Sequence, residues 1–141
     1  MFNVLFAFVL FFQTADPFAT LEKMLAKHQP VLVERDAAFA QLKASIKSGV
    51  ELNVAYLRYL KASDAALKSW LDLSAELNRT KKLAGDKPDQ KTKDRLTRLT
   101  ARVDAYNPPR DQEAVMKAYL EKLGDPAFGP QAPVIPKPKQ R

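Results

Sequence analysis

The residue types best suited to chemistry are few, and they stand close together. His28 is the only histidine of the 141 residues, and Arg35 follows it by seven. At 100° per residue both fall on the apolar side of one helix, with Leu21, Met24, Leu25, Leu32 and Phe39. An imidazole can serve as general base or metal ligand, and a guanidinium beside it can hold an anion. Each role needs partners. A Ser-His-Asp relay or a multi-histidine metal site would rest on His28 alone. Met24 and His28 lie one turn apart on one face, so they would approach the same side of a haem and cannot be opposite axial ligands. No C-x-x-C-H motif accompanies them. The reading that fits both residues is a buried polar pair at the edge of the core. Arg35 would snorkel outward or pair with a carboxylate from a neighbouring helix.

Other sources of catalysis are sparse. The chain has no cysteine, so disulfides, thiol nucleophiles and thiolate metal sites are excluded. Beyond the first fifteen residues its glycines are Gly49, Gly85, Gly124 and Gly129, placed at expected helix ends or in the tail, and none forms a phosphate-cradling loop. The carboxylate pairs Glu34/Asp36 and Asp111/Glu113 are two residues apart, so on a helix their members diverge and read as surface charge. The expectation is a non-enzyme with no cofactor and no metal.

One charge pattern stands out. From Arg79 to Arg102 there are nine basic residues against three acidic ones. Lys91, Arg95, Arg98 and Arg102 follow at steps of four, three and four, forming one stripe about 90° from an apolar face of Leu96, Leu99 and Val103. Lys87 extends the stripe if the helix begins that early. Like charges so spaced cost a few tenths of a kcal/mol per pair. Asp72 and Glu76 of a neighbouring helix are candidates to offset that cost. An anionic partner is the other: a lipid or envelope-polymer surface, an acidic protein, or nucleic acid.

The elements that must position these residues are helical. A first helix opens at Asp16-Pro17, with Asp16 as N-cap, and closes at Ser48-Gly49. Pro30 lies opposite its apolar stripe and is expected to kink it. A second runs from Leu52 to Leu83, with Leu52, Tyr56, Leu60, Ser63, Leu67, Trp70, Leu71, Ser74 and Leu77 facing inward. A third opens at Asp86-Lys87-Pro88 and runs to Tyr106, where Asn107-Pro108-Pro109 forces a turn. A fourth, from Arg110 to Leu123, offers Val115, Ala118, Tyr119 and Leu123 to the core. The expected fold class is all-α. The first two helices, each roughly 45 Å long, form an antiparallel, coiled-coil-like hairpin. The shorter pair packs across one half of it, giving an irregular four-helix bundle over residues 16–125. Residues 126–141 hold five prolines and end PKPKQR, which reads as an extended Pro/Lys-rich tail.

Residues 1–15 differ in kind. MFNVLFAFVLFF has eleven apolar residues in twelve and no charge. That is too short to span a bilayer, which needs about 20 residues, and it suits the core of a signal peptide cut after Ala15. An uncleaved hydrophobic anchor is the competing reading, since no Lys or Arg precedes the run and Gln13 is large for its place. All 39 charged residues lie at or beyond Asp16, and the net charge is +7. The function expected is a periplasmic or secreted helical protein of the bacterial envelope, binding a protein or an anionic lipid or polymer surface through its basic helix. A non-specific nucleic-acid-binding module is the alternative if residues 1–15 are not an export signal. Against that alternative, the stripe lacks interleaved aromatic or Asn/Gln side chains that read bases.

Overall fold

A computed structural model describes residues 16–125. The fold is all-helical, with no strand among the described residues. Its helices are α1 (Ala19–Ser48), α2 (Leu52–Ala84), α3 (Gln90–Ala105) and α4 (Gln112–Leu123). The expected cleavage site and the Pro-rich tail lie outside the described residues.

Local chemistry sets the ends. Gly49 ends α1 in the left-handed region at φ 76°, and its N–H donates to the Ser45 carbonyl at 2.6 Å. At the start, Asp16 acts earlier than an N-cap. Its Oδ1 accepts the Phe18 N–H at 3.0 Å in a turn, and the helix begins at Ala19. The cap of α3 is Asp89, whose carboxylate accepts the Thr92 N–H at 2.7 Å. This leaves Lys87 in the loop before α3 rather than on it. The helix runs unbroken through Pro30, whose ring faces solvent.

The seam between α1 and α2 repeats every seven residues. Phe18, Leu25, Leu32, Phe39 and Ile46 alternate along α1 with Leu21, His28, Arg35 and Leu42. On α2, Leu52, Tyr59, Ala66, Leu73 and Thr80 alternate with Tyr56, Ser63, Trp70 and Leu77, and all but the half-buried Trp70 are buried. A period of 3.5 keeps a seam on one side of two long helices where 3.6 drifts off it. The expected inner face of α2 therefore needs correction. Leu71 is 53% exposed, Leu67 is half-buried, and the buried residues include Ala55, Tyr59, Ala62, Ala66 and Leu73.

The core falls into two clusters. At one end Phe18, Leu21 and Leu25 pack with Leu73 and Leu77 of α2 and with Leu99 and Val103 of α3. At the other, Ala38 and Leu42 pack with Leu52, Ala55, Tyr56, Tyr59 and Ala62 of α2 and with Val115 and Tyr119 of α4. The start of α1 thus meets the end of α2. The shorter helices do not share one half of this pair but divide its length. Arg95 of α3 reaches Asp16 and Glu22, while Tyr119 of α4 stacks on Tyr56 with ring centroids 3.9 Å apart. Each level holds α1, α2 and one of the two shorter helices. The third course is interrupted at Asn107-Pro108-Pro109, because neither proline has an N–H to continue a helix.

Candidate functional site

Interrupting a helix against a core exposes polar groups: carbonyls at one end and N–H groups at the other. The buried polar side chains of α1 stand at that interruption. His28 is fully buried, with Nδ1 2.7 Å from Ser69 Oγ and Nε2 3.3 Å from the Tyr106 carbonyl. A carbonyl only accepts, so Nε2 carries the proton and Nδ1 accepts from the Ser69 hydroxyl. His28 thereby caps the carboxyl end of α3. Trp70 does the same from α2, donating Nε1–H to the Val103 carbonyl at 3.0 Å, while Arg110 lies over its ring at 5.6 Å. The half-buried indole is a clamp on α3 rather than a fully buried core residue.

Two turns along α1, Arg35 holds the start of α4. Its side chain is 3% exposed, and Nη2 donates to Asp111 Oδ2 at 2.6 Å. Tyr59 donates its hydroxyl to Asp111 Oδ1, also at 2.6 Å. Phe39 and Tyr59 present ring faces to the guanidinium at 5.3 and 5.9 Å. Nη1 makes only a long 3.4 Å contact to the exposed Asp36, and Nε has no partner among the described residues. Burial opposes the charge on Arg35, but the hydrogen bond and field of Asp111 outweigh it and raise the guanidinium above its ordinary pKa. Burial likewise pushes Asp111 upward, and its bonds to Arg35 and Tyr59 overcome this and hold it below the usual carboxylate range. Tyr59 is pushed up to about 12, by burial first and then by its bond to Asp111. Asp111, read from sequence as surface charge, is the half-buried counterion of Arg35. His28 and Arg35 do not touch each other's partners; each secures one side of the break between α3 and α4.

These bonds fasten the end of α3 and the start of α4 to the two long helices. Ser69, His28 and the Tyr106 carbonyl do form a hydroxyl–imidazole–acceptor line. An acyl-transfer site also needs donors for an oxyanion, and Ser69 lies in mid-α2, where backbone N–H groups are committed to the helix. A cavity of about 260 Å³ between α1 and α2 is lined by Pro30, Val31, Glu34, Ala62 and Ala65, and includes neither Ser69 nor His28. Among the described residues no three His, Asp or Glu side chains converge as metal ligands would.

The basic stripe divides in two. Arg95 is turned inward: it reaches Asp16 at 2.9 and 3.2 Å and Glu22 at 2.8 Å, with its guanidinium 4.5 Å from the Phe18 ring centre. Those bonds raise its pKa, while the Phe18 N–H first and then Arg95 lower that of Asp16. The offsetting carboxylates thus come from Glu22 of α1 and from Asp16 just before it, not from Asp72 and Glu76; Glu76 is taken by Arg79. Lys91, Arg98 and Arg102 remain exposed on α3, and none has an ion pair among the described residues. Lys87 is exposed in the loop ahead of them.

Compared with protein-family models, curated proteins and solved structures, the chain matches none.

Proposed function

We propose that this chain is a non-enzymatic interaction protein of the bacterial cell envelope, in which an antiparallel coiled-coil-like hairpin and its two shorter helices form an irregular bundle that carries a basic docking face. Lys91, Arg98 and Arg102, with Lys87 ahead of them, contact an anionic partner. The observation that carries this is the contrast within one stripe. Arg95 is neutralised by Asp16 and Glu22, whereas its neighbours on the same helix stay exposed and form no ion pair among the described residues, Lys91 feeling only the field of Asp89. Repulsion among such charges is relieved when an anion binds, and long-range attraction draws the anion in.

The test is binding of the full chain to polyphosphate as a soluble polyanion. Affinity should fall steeply between about 50 and about 200 mM salt, since exposed charges are screened beyond roughly 8–10 Å in this range. Arg98→Glu with Arg102→Glu should weaken binding at least tenfold, on the order of 1 kcal/mol per charge or more, and leave the melting midpoint unchanged. Arg95→Glu should do the reverse, lowering stability by about 1 kcal/mol through loss of a partly exposed ion-pair network. Unchanged polyanion affinity in the Arg98/Arg102 variant would sink the reading.

Export rests on residues 1–15. Mature protein recovered from outside the cytoplasm should have lost those fifteen residues by intact mass. Recovery with Met1 or Phe2 still present would favour the anchor.

A further inference from the structure

We infer that the α2–α3 end of the molecule is a lipid-contacting tip, built to meet a bilayer surface that contains anionic headgroups. This rests on the anion-facing reading of Lys87 and Lys91 and extends it from a charge preference to a lipid surface.

Three observations converge on that end. Leu83, in the last turn of α2, is 58% exposed. It stands six residues past Leu77, the last α2 side chain in the apolar cluster, and so projects about 9 Å beyond it. Lys81 and Lys82 precede it, and Lys87 and Lys91 follow across the loop, all exposed. Lysines in the last turn of a helix are favoured by its dipole, which accounts for Lys81 and Lys82 alone. It does not account for an exposed leucine among four exposed lysines, which outnumber the exposed Asp86 and Asp89 of the same loop. That combination suits an interface: the apolar side chain enters the headgroup boundary while the ammonium groups stay among the phosphates.

The third observation is where the chain enters the domain. Asp16 is fastened to this same end by Arg95. Residues 1–15, with their uncharged apolar run, are therefore joined to the domain beside the basic tip. While residues 1–15 stay attached, their apolar run and the lysine cluster present one end to the bilayer together; once they are cut, Leu83 and the lysines act alone. Among the described residues no helix is long and apolar enough to cross a membrane, so the contact made by the helices is superficial. The opposite end carries apolar exposure too, at Val50 and Val54, and exposed Lys43 and Lys47, but it is not the end where residues 1–15 enter the domain.

The cysteine-free sequence makes the test direct. An environment-sensitive fluorophore is placed on the full chain through Leu83→Cys, and separately through Val54→Cys, about 44 Å away along α2. Vesicles are of phosphatidylcholine alone or with phosphatidylglycerol. On phosphatidylglycerol vesicles the label at 83 should shift to an apolar spectrum and be quenched by lipid-borne quencher, while the label at 54 should not. Lys81→Glu with Lys82→Glu should weaken binding to those vesicles at least about tenfold and leave binding to phosphatidylcholine alone unchanged. The inference is overturned if bound protein leaves the label at 83 in water, if both labels respond equally, or if charge reversal has no effect. Any of these can occur with polyphosphate binding still sensitive to Arg98 and Arg102, so failure of the tip is separable from failure of the basic face.

Discussion

In denaturant melts, Asp111→Ala is expected to lose about 3–5 kcal/mol, because it strands a buried guanidinium without its counterion. Arg35 has no substitute at hand. Its Nη1 contact to Asp36 is long and ends on a carboxylate that is 75% exposed, and its Nε is already unpartnered among the described residues. Tyr59 would lose its acceptor in the same step. Asp111→Asn retains an oxygen for one of the two donors and should fall between. The decisive comparison is Arg35→Met combined with Asp111→Ala. Removing both charges should recover most of the loss, since a buried ion pair contributes little over an apolar replacement while half of one is costly. A loss under about 1 kcal/mol for Asp111→Ala would mean that Arg35 finds solvent, and that α4 is not held by this pair. Acid should act in the same direction. Asp111 has a depressed pKa in the fold, so its stabilisation is present above the unfolded carboxylate value near 4 and is lost as pH falls through the lower, folded value.

The position of Asp111 marks where the sequence stops being legible. That His28 and Arg35 occupy an apolar helix face follows from periodicity within thirty residues of chain. Their partners are 78 and 76 residues distant, and no local pattern points to them. Asp111 next to Glu113 has the spacing of ordinary surface charge, and only the Pro108-Pro109 break brings it beneath Arg35. The apolar stripes of α3 and α4 were readable, since Leu99, Val103, Val115 and Tyr119 are all buried and a short helix leaves little room for phase error. In the 33 residues of α2, a wheel of 3.6 drifts about 20° per heptad from a 3.5 seam. That drift brought the exposed Leu71 into the expected inner face and left the buried Ala66 and Leu73 out of it. Trp70 lies inward on either period, and its bond to the Val103 carbonyl, 33 residues away, has no local signal. The basic stripe was legible as a stripe, but its inward-turned member was not, because Asp16 and Glu22 approach Arg95 only once α3 lies beside α1.

Alkaline pH should unfasten the same joint by a different group. Tyr59 is fully buried and donates its hydroxyl to a carboxylate, so ionising it would place two negative oxygens in contact. Its pKa is accordingly pushed up to about 12, against 10.0 for an unperturbed phenol. Below pH about 10 the phenol is protonated in both the folded and the unfolded chain, and its contribution to stability is complete. Between about 10 and 12 the unfolded chain releases that proton while the folded chain keeps it, so unfolding is favoured progressively as pH rises. Two pKa units correspond to roughly 2–3 kcal/mol lost across this window. Tyr56, raised by burial and by Tyr119, acts in the same direction. Tyr59→Phe isolates the effect. It should start from a lower stability near neutrality, having lost one charge-assisted hydrogen bond of about 1.5–3 kcal/mol, and then decline less steeply above pH about 10. The two stability curves should therefore converge as pH approaches about 12. Parallel curves would show that Tyr59 titrates as an ordinary phenol, and that its bond to Asp111 is not held in solution.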